Sequence, residues 1–314
     1  MASIVEGMKS VSIIIPAWNE AEHIADCLMN ATRQTMAAKE ILVVNNKSTD
    51  DTVAIVRRFV AENPGCRVKL LDQNKDQGLI PTRNYGFDHA TGDILGRVDA
   101  DCMLRPDWVE QVSRTFSRDH TAMGVTGPVT YYDMPAAGVS LAGDNQIRKH
   151  VYRADGGRTL LFGSNMAIRA TAWKIIRTQV CRDHKDIMHE DIDVSLHLIS
   201  NGLKTVYNPK MVVGVSARRI DTSPHSFLTY LKRFKTTFDA HPEHTRTTKP
   251  EYVFTALYPI LHLWYSAYQK QLEEKNVDPA RRIWLHKQMR LARRHELQSY
   301  TTYEDFEKRT RCNG

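Results

Sequence analysis

Two aspartates separated by a single residue, Asp99 and Asp101, follow a short apolar run in this 314-residue chain. If that segment is extended, both side chains point to the same face, because strand side chains alternate. Two carboxylates so placed can hold a divalent cation, and the cation can neutralise a diphosphate. The pair therefore predicts a metal site, although Asp191-Ile192-Asp193 repeats the pattern and shows that it is common by itself.

A second acidic pair, Glu190 and Asp191, opens a stretch whose apolar residues recur at helical spacing. A helix that starts here places Asp191 in its first turn, where the helix N-terminus favours a carboxylate. Such a carboxylate can take the proton of a hydroxyl group as its oxygen attacks an electrophilic carbon. The alternative interpretation of the same residues is an acidic helix cap with no role in catalysis.

Strands and helices that alternate along the chain must position these acids. Apolar, β-branched runs at 11–15, 40–44 and 94–98 predict buried strands, and amphipathic stretches at 20–34 and 51–62 predict helices. We expect Pro16 to end the first strand and Asn19 to cap the first helix. The alternation is typical of a parallel-rich α/β sheet that binds ligands at the carboxyl ends of its strands.

Taken in order, these motifs resemble the family-two glycosyltransferases of GT-A type. The resemblance runs from about Val11 to Val215 and includes the loop after the first strand, the Asp99–Asp101 pair and His189-Glu190-Asp191. It implies an α/β fold, a GT-A Rossmann-like sandwich with a mixed, mostly parallel sheet. It assigns a glycosyltransferase domain to 1–216, with a nucleotide-sugar half at about 10–105 and an acceptor half at 106–216. Residues 217–314 lie outside the resemblance, and their composition predicts a basic, largely helical extension, a C-terminal helical appendage of the sandwich.

The resemblance also implies an activity. It is the transfer of a sugar from a nucleoside diphosphate sugar to a hydroxyl acceptor, with inversion and with Mn²⁺ or Mg²⁺. The Gln-x-x-Arg-Trp signature of processive members does not occur in the sequence, so we expect one transfer per acceptor. The implied metal ligands are Asp101 and Asp99, the implied base is Asp191, and Glu190 would orient the acceptor. The implied donor-binding residues are Pro16, Asn19, Glu20, Asn45, Arg83, Asp99, Ser164 and Asn165.

The loop after the second strand departs from the family pattern. The family usually carries an acid pair followed by glycine there, whereas this chain has Asn45, Asn46 and Lys47. An amide both accepts and donates hydrogen bonds, so the base that it binds is left open. A uridine diphosphate sugar is favoured, with guanosine and thymidine diphosphate sugars as alternatives. The acceptor is equally open: a lipid-linked glycan, a cell-envelope polymer or a small metabolite.

The third metal ligand in this fold class is often a C-terminal histidine. The candidates are His225, His241 and His244, on or just after a helix predicted for 223–240, and an ordinary surface role is the commoner alternative for each. Arg218 and Arg219 follow an apolar strand and are candidates for contacting the acceptor or its phosphate.

Residues 217–314 carry the whole net charge of +7, with 18 lysines and arginines against 11 acidic residues. They also contain an apolar and aromatic run at 252–268 and basic clusters at 281–282 and 290–294. Apolar faces beside basic clusters are typical of helices that lie on anionic membranes. The alternative is helices that pack their apolar side on the rest of the chain. We expect no nucleic-acid partner, because no nucleic-acid motif accompanies the charge.

The remaining features favour a cytoplasmic protein, peripheral at the inner face of the membrane if it meets one. No run approaches the roughly twenty apolar residues of a membrane span, residues 1–9 lack a signal core, and the five cysteines are scattered. A sugar-phosphate nucleotidyltransferase stays open as an alternative, although the loop 16–20 lacks the glycines that such enzymes place there. So does a non-catalytic nucleotide-sugar-binding scaffold, against which the two acidic pairs argue.

Overall fold

The computed structural model describes residues 7–135, 137–154, 159–181, 187–244 and 250–274. The strands of this part are β1 (Val11–Ala17), β2 (Glu40–Asn45), β3 (Val68–Asp72), β4 (Ile94–Arg97), β5 (Met103–Leu104), β6 (Ala122–Thr126), β7 (Val129–Tyr131), β8 (Met166–Arg169), β9 (Lys204–Tyr207) and β10 (Val213–Val215). The helices are α1 (Ile24–Thr32), α2 (Thr52–Glu62), α3 (Leu79–His89), α4 (Trp108–Arg118), α5 (Ala137–Ala154), α6 (Ala170–Ile176), α7 (Glu190–Ser200), α8 (Pro224–Asp239) and α9 (Pro250–Glu274), with a 3-10 turn at Arg218–Asp221.

A seven-stranded sheet in the order β3-β2-β1-β4-β8-β6-β9 forms the centre of the described structure. The first four strands of that order are mutually parallel, and β9 is parallel to β6. β8 is antiparallel to both of its neighbours, β4 and β6. Three short strands form a second sheet in the order β5-β10-β7. The predicted mixed, mostly parallel α/β sheet is therefore confirmed.

Helices cover both faces of the central sheet. Strands β1 and β2 are buried at every position, as expected for strands that have helices on both sides. Ile13 and Ile15 belong to a core cluster with α1, α2 and α4, whereas Ile14 belongs to a cluster with α3, α6 and α7. The alternation of these side chains thus fixes the register of β1 within the sandwich.

Pro16 does not end β1, contrary to the prediction, because the strand continues to Ala17 with Pro16 opposite Val44 of β2. β1 pairs with β4 only as far as Ile14, whose carbonyl accepts from the Val98 N–H at 3.1 Å. Hydrogen bonds alternate between the two neighbours of a strand, so Pro16 turns its missing N–H toward the side where β4 has ended. Proline is tolerated at this position for that reason.

The prediction that Asn19 caps α1 was also wrong. The helix begins at Ile24, and the preceding His23 makes no capping hydrogen bond through its side chain. Asn19 has a φ of 53°, a left-handed conformation that asparagine adopts more readily than most residues. This conformation turns its side chain away from the helix and toward the loop that follows β2.

The C-terminal helices are present as far as the structure describes them. α8 confirms the helix predicted for 223–240, and its first turn is capped by Ser223, whose Oγ accepts from the Ser226 N–H. α9 is tied to the rest of the chain by the Tyr265 hydroxyl, which donates to Asp133 at 3.2 Å. No helix within the described ranges is long and apolar enough to cross a bilayer. The remainder of the predicted extension, 275–314 with both basic clusters, lies outside the described residues.

Candidate active site

Two loops at the carboxyl ends of β1 and β2 are hydrogen-bonded to each other. The Asn19 Oδ1 accepts from the Thr49 N–H at 2.8 Å, and the Asn19 N–H donates to Ser48 Oγ at 3.1 Å. One residue later, the Glu20 N–H donates to Thr52 Oγ1 at 2.8 Å. These bonds hold the two loops as one wall at the edge of the sheet where open α/β folds bind their ligands.

Asp99 and Asp101 lie beside that wall, just after β4. They do not lie on an extended segment, as predicted, but in a turn in which the Cys102 N–H donates to the Asp99 carbonyl at 3.1 Å. The turn still brings their carboxylates together, because ligand atoms of Asp99, Asp101 and Cys102 lie within 4.8 Å of one another. Burial raises the pKa of the Cys102 thiol and keeps it protonated, so the cluster offers two carboxylates as ligands.

The surroundings of Asp101 are short of positive charge. Burial and the neighbouring Asp99 raise the pKa of Asp101 to about 7, and the Arg218 guanidinium offsets part of that rise. Arg218 Nε lies 3.0 Å from Asp101 Oδ2, and Arg218 Nη2 lies 2.6 Å from Glu20 Oε1. The other Glu20 oxygen, Oε2, is buried and has no hydrogen-bond partner in the described part of the chain. Crowded carboxylates and an unpaired buried oxygen fit a divalent cation, whose preferred ligands are oxygens.

The other basic candidates contact different parts of the molecule. Arg219 does not follow Arg218 toward Asp101 but lies over the Tyr230 ring, 4.2 Å from its centroid. His225 is exposed at the start of α8. His241 lies 2.9 Å from Asp193 Oδ1, and His244 Nε2 lies 2.7 Å from Ser200 Oγ. His241 and His244 therefore contact α7 rather than Asp101. The structure supports none of the three histidines as the third ligand of a metal at Asp99 and Asp101.

Glu190 is clamped by two buried arginines. Arg83 Nη1 donates to Glu190 Oε2 at 2.6 Å and to the Glu190 carbonyl at 2.8 Å. Arg97 Nη2 lies 3.3 Å from Glu190 Oε1 and 2.5 Å from Asp99 Oδ1. Burial raises the pKa of Glu190, and the guanidinium groups of Arg97 and Arg83 oppose that rise. Because the clamp also includes Asp99, it joins the two acidic pairs.

Arg83 therefore differs from both interpretations of its sequence position. It is fully buried, so it is not a solvent-exposed helix charge. Its guanidinium is directed at Glu190 and at the Asn84 side chain, rather than at the open edge of the sheet where a diphosphate would lie. We correct the expected diphosphate contact to a contact that positions Glu190.

Arg97 was missed by the sequence analysis. It lies at the end of an apolar strand, directly before the Asp99–Asp101 pair, and is 2% exposed. Asp99 and Glu190 raise the pKa of Arg97 against the effect of its burial, which keeps the guanidinium charged. The signal was present in the sequence, because a charged residue within a buried strand requires a partner of opposite charge.

Asp191 lies in the first turn of α7, as predicted, and is half-buried. Its Oδ2 accepts from the Gly163 N–H at 2.7 Å, and its Oδ1 accepts from the Ile192 N–H at 2.8 Å. Gly163 has to be a glycine, since a Cβ there would lie 2.2 Å from Arg97 Nη1 and 2.9 Å from Glu190 Oε1. Two main-chain donors thus fix the orientation of this carboxylate beside the arginine clamp.

The neighbouring residues Ser164 and Asn165 have different positions. The Ser164 hydroxyl donates to Asp99 Oδ2, beside the metal candidates. Asn165 is fully buried: its Nδ2 donates to the Met211 carbonyl at 2.7 Å, and its Oδ1 accepts from Trp108 Nε1 at 2.9 Å. The predicted donor contact of Asn165 is therefore corrected to a structural role beneath the site, because no face of its side chain is accessible.

Pro16 and Asn45 lie at the ends of β1 and β2. Pro16 is buried within its strand, so its contribution is to the path of the loop. Asn45 is 6% exposed; its Nδ2 donates to Asp72 Oδ1 at 2.8 Å and its Oδ1 accepts from the Ser48 N–H at 3.1 Å. The adjacent Asn46 accepts from the Gly78 N–H at 2.7 Å and ties the loop to the start of α3. The Asn45–Asp72 pair thus places an amide and a carboxylate together at the carboxyl ends of β2 and β3.

Comparison with known proteins identifies a family whose sequence model matches this chain. The sequence model of the family described as glycosyl transferase family 2 matches residues 12–181. The curated protein glycosyltransferase AglE of Haloferax volcanii is 35% identical over 132 residues, which cover 41% of this chain and 42% of AglE. The chain thus matches less than half the length of that relative.

Two solved structures share the fold. The mannosyltransferase PcManGT of Pyrobaculum calidifontis, in complex with GDP-Man and Mn²⁺, superposes with a TM-score of 0.58 at 20% identity, covering 91% of this chain and 81% of that one. TarS 1–349 of S. aureus, in complex with UDP-GlcNAc, superposes with a TM-score of 0.52 at 16% identity, covering 73% of this chain and 66% of that one. At these identities the likeness shows the GT-A fold and leaves the ligands of this chain undecided.

Proposed function

Because the chain belongs to glycosyl transferase family 2, we propose that it transfers one sugar, with inversion, from a nucleoside diphosphate sugar to a hydroxyl group. The observation that carries this proposal is a connection between the two acidic pairs. The Gly163 N–H binds Asp191, and the hydroxyl of the next residue, Ser164, binds Asp99. A carboxylate suited to act as a base and a carboxylate suited to hold a metal are therefore fixed by consecutive residues.

Asp99 and Asp101 would hold Mn²⁺ or Mg²⁺. When bound, the cation neutralises the diphosphate and stabilises it as a leaving group. Arg218 places a positive charge beside the same carboxylates. Its Nε lies 3.0 Å from Asp101, and its Nη2 lies 2.6 Å from Glu20. We propose that Arg218 exchanges these carboxylates for diphosphate oxygens when the donor binds, because a guanidinium suits phosphate as well as carboxylate.

Asp191 would act as the general base. In an inverting transfer the acceptor oxygen forms its bond to the anomeric carbon while the bond from that carbon to the diphosphate oxygen breaks. The acceptor proton passes to Asp191, and the nucleoside diphosphate leaves with the bonding electron pair. Main-chain donors from Gly163 and Ile192 occupy one lone pair on each Asp191 oxygen and leave the others for the acceptor. Glu190, held by its arginines, would orient the acceptor.

The donor base would lie against the Asn45–Asp72 pair. An amide and a carboxylate side by side can accept from a ring N–H and donate to a ring carbonyl, a pattern that uracil shares with thymine and guanine. We keep a uridine diphosphate sugar as the proposed donor, and guanosine and thymidine diphosphate sugars as the competing outcomes that the donor panel separates. Asn19 and Glu20 would shape the same wall through their bonds to the loop after β2.

We also propose that residues 217–314 dock this cytoplasmic enzyme on the inner, anionic face of a membrane. The outer face of α9 exposes Leu257, Ile260, Leu263 and Trp264, of which Leu263 is 70% exposed. Tyr258 and Tyr265, on the opposite face, are buried. The same 98 residues carry the whole net charge of +7, so that an apolar face and basic charge occur together. A lipid-linked or cell-envelope acceptor suits this location.

The experiment that tests the proposed reaction is release of nucleoside diphosphate from a panel of UDP, GDP and dTDP sugars with Mn²⁺. The wild type is compared with Asp101→Ala, Asp191→Asn and Asp239→Asn, an exposed control on α8. We expect metal-dependent release from one donor class, lost in Asp101→Ala and retained in the control. Turnover without added metal, or in Asp101→Ala, would refute the metal site. If no donor of the panel binds or turns over, the chain is a non-catalytic member of its family.

A further inference from the structure

Three side chains that could hold a metal ion lie together beside α7: Asp193, two residues beyond Asp191, His197 and His241. Asp193 Oδ1 lies 2.9 Å from His241 Nε2 and 3.5 Å from His197 Nε2, and all three atoms lie within 4.8 Å of one another. Asp193 is 1% exposed and His241 is 5% exposed. His197 follows Asp193 by one helical turn, whereas His241 comes from the segment directly after α8.

The spacing of these atoms suits a tetrahedral ion. Zinc binds histidine nitrogen and carboxylate oxygen at about 2.0–2.1 Å, which places neighbouring ligand atoms about 3.3 Å apart. The two measured separations, 2.9 and 3.5 Å, lie on either side of that value. Without an ion, the same atoms are held by a hydrogen bond between His241 Nε2 and Asp193 Oδ1 at 2.9 Å, with His197 Nε2 at 3.5 Å from the same oxygen. Zinc binding therefore has to replace this hydrogen bond, which is what a titration with zinc measures.

The surroundings orient these three side chains. The Cys181 N–H donates to the other Asp193 oxygen, Oδ2, at 2.8 Å, which leaves Oδ1 directed at the two imidazoles. Glu243 Oε1 lies 3.5 Å from His241 Nδ1, on the far side of that ring. A carboxylate behind a histidine is the usual partner of a metal-binding imidazole, since it fixes the ring and makes the facing nitrogen a better ligand. At 3.5 Å Glu243 is within ion-pair distance of His241 but is not hydrogen-bonded to it, so Glu243 would move closer to serve as the outer partner of a bound ion.

We propose that Asp193, His197 and His241 form a zinc site, distinct from the Mn²⁺ or Mg²⁺ site at Asp99 and Asp101. Two imidazoles and one carboxylate suit Zn²⁺, whereas Mg²⁺ and Mn²⁺ prefer oxygen ligands. Among the described residues, no fourth histidine, cysteine or acidic side chain joins this group, so water would supply the fourth ligand. The ion joins the helix that carries Asp191 to the end of α8, and so fixes the C-terminal helices on the catalytic helix.

The test measures zinc rather than activity, so it does not depend on the proposed function. The full-length protein is stripped with a chelator and titrated with Zn²⁺ against a fluorescent competitor, and its melting temperature is followed. We expect about one tightly bound zinc per chain and a rise in melting temperature, since the ion binds only the folded state. Co²⁺ bound in its place is expected to show the absorption bands of a tetrahedral site.

Two variants and two controls locate the ion. His197→Gln, which removes a partly exposed ligand, is expected to weaken zinc binding more than about 100-fold, because loss of an outer partner alone costs about 10–100-fold. Glu243→Gln, an exposed outer partner, is expected to weaken it about tenfold. His225→Gln and Asp101→Asn are the controls and should leave this zinc in place. A wild-type protein that retains no zinc, or a His197→Gln variant that binds it as tightly as the wild type, would overturn the proposal and leave a hydrogen-bonded His–Asp pair.

Discussion

Arg83 and Glu190, which are 107 residues apart in the chain, link α3 to α7 through a buried ion pair. The Arg83 guanidinium donates to both the carboxylate and the main-chain carbonyl of Glu190. Because Glu190 is the first residue of α7, this contact determines where the helix begins. It thereby sets the position of Asp191, the proposed base, although Arg83 itself is fully buried and touches no open surface.

Replacing Arg83 by methionine should therefore affect stability and catalysis together. The substitution leaves the Glu190 carboxylate buried with one cation fewer, a loss of about 3–5 kcal/mol in the free energy of unfolding. We expect Arg83→Lys to retain the charge but lower kcat more than the donor KM rises, because lysine lacks the planar fork that fixes Glu190. Urea denaturation and steady-state kinetics measure these effects.

Arg177→Met is the matched control for Arg83→Met. Arg177 pairs with Asp88 at 2.6 Å, but its side chain is 50% exposed. A surface pair of this kind contributes about 1 kcal/mol or less. Equal losses of stability in the two variants would show that the buried clamp has no special role.

Arg218 should compete with a metal ion for Asp101 when no donor is present. We expect Arg218→Ala to bind Mn²⁺ about fivefold tighter in the absence of nucleotide, the equivalent of about 1 kcal/mol for a partly exposed ion pair. The same variant should bind the Mn²⁺–nucleotide complex more weakly, because the diphosphate loses a cation. Titrations followed by electron paramagnetic resonance at pH 8.5, where Asp101 is ionised, measure both constants.

Arg219→Ala serves as the control for that experiment, since Arg219 lies over Tyr230 and makes no described contact with Asp101. If Mn²⁺ affinity is unchanged or lower in Arg218→Ala, Arg218 does not occupy the cation site.

Glu40 should make stability depend on acid pH. Burial raises its pKa, but hydrogen bonds from Thr91, Lys69 and Ser12 outweigh this effect and lower the pKa from 4.5 to about 2. The stabilisation is therefore fully present above pH 4.5 and is lost as the pH falls toward 2. We expect Glu40→Gln to lower the free energy of unfolding by about 3 kcal/mol at pH 7 and by progressively less below pH 4.5.

Urea denaturation between pH 2.5 and 7 measures this difference, with exposed Glu62→Gln as the control. A stability difference that stays constant across this pH range would mean that the ionised form of Glu40 is not what stabilises the start of β2.

The outer face of α9 should bind anionic vesicles. We expect the wild type to sediment with vesicles that contain phosphatidylglycerol and to remain free of pure phosphatidylcholine. The double variant Ile260→Asp/Leu263→Asp should lose most of this binding, because both side chains are largely exposed and their loss removes apolar contact. Ile175→Asp changes an exposed, although less exposed, apolar residue on α6 and should bind as the wild type does.

Two results would contradict membrane docking. Binding that does not depend on anionic lipid, or that survives the α9 substitutions, places the membrane contact elsewhere. A change from dimer to monomer in the double variant, with no vesicle binding by the wild type, would instead make this face an interface between two copies of the chain.

The sequence predicted the elements of the fold because their signals are local. β1, β2, α2 and α8 lie within one or two residues of the predicted bounds, since apolar runs and helical periodicity depend on neighbouring residues. Pro16 was misjudged because its tolerance depends on where β4 ends, which the sequence of β1 does not contain. Asn19 was predicted to cap the first helix, but its side chain binds Thr49, a residue of another loop that the local sequence does not contain.

The sequence also predicted some residues of the site correctly and others not. Asp191 lies in the first turn of α7, as its local sequence indicated. The burial of Arg83 and Asn165 depends on contacts with residues more than 40 positions away, so both were assigned contacts with a ligand that the geometry does not allow. Arg97 carried a local signal, a charge within an apolar strand, and should have been included. The turn at Asp99–Asp101, in contrast, is closed by a local hydrogen bond from the Cys102 N–H to the Asp99 carbonyl.

In the proposed reaction, Asp101 serves the donor and Asp191 serves the acceptor. Calorimetric titration of the preferred nucleotide sugar, with and without Mn²⁺, tests it in the wild type, Asp101→Asn and Asp191→Asn. We predict that Asp101→Asn loses the metal-dependent part of donor affinity, whereas Asp191→Asn binds the donor as the wild type does and fails only to transfer the sugar. Metal-dependent donor binding that survives in Asp101→Asn, or that is lost in Asp191→Asn, would contradict this division of roles.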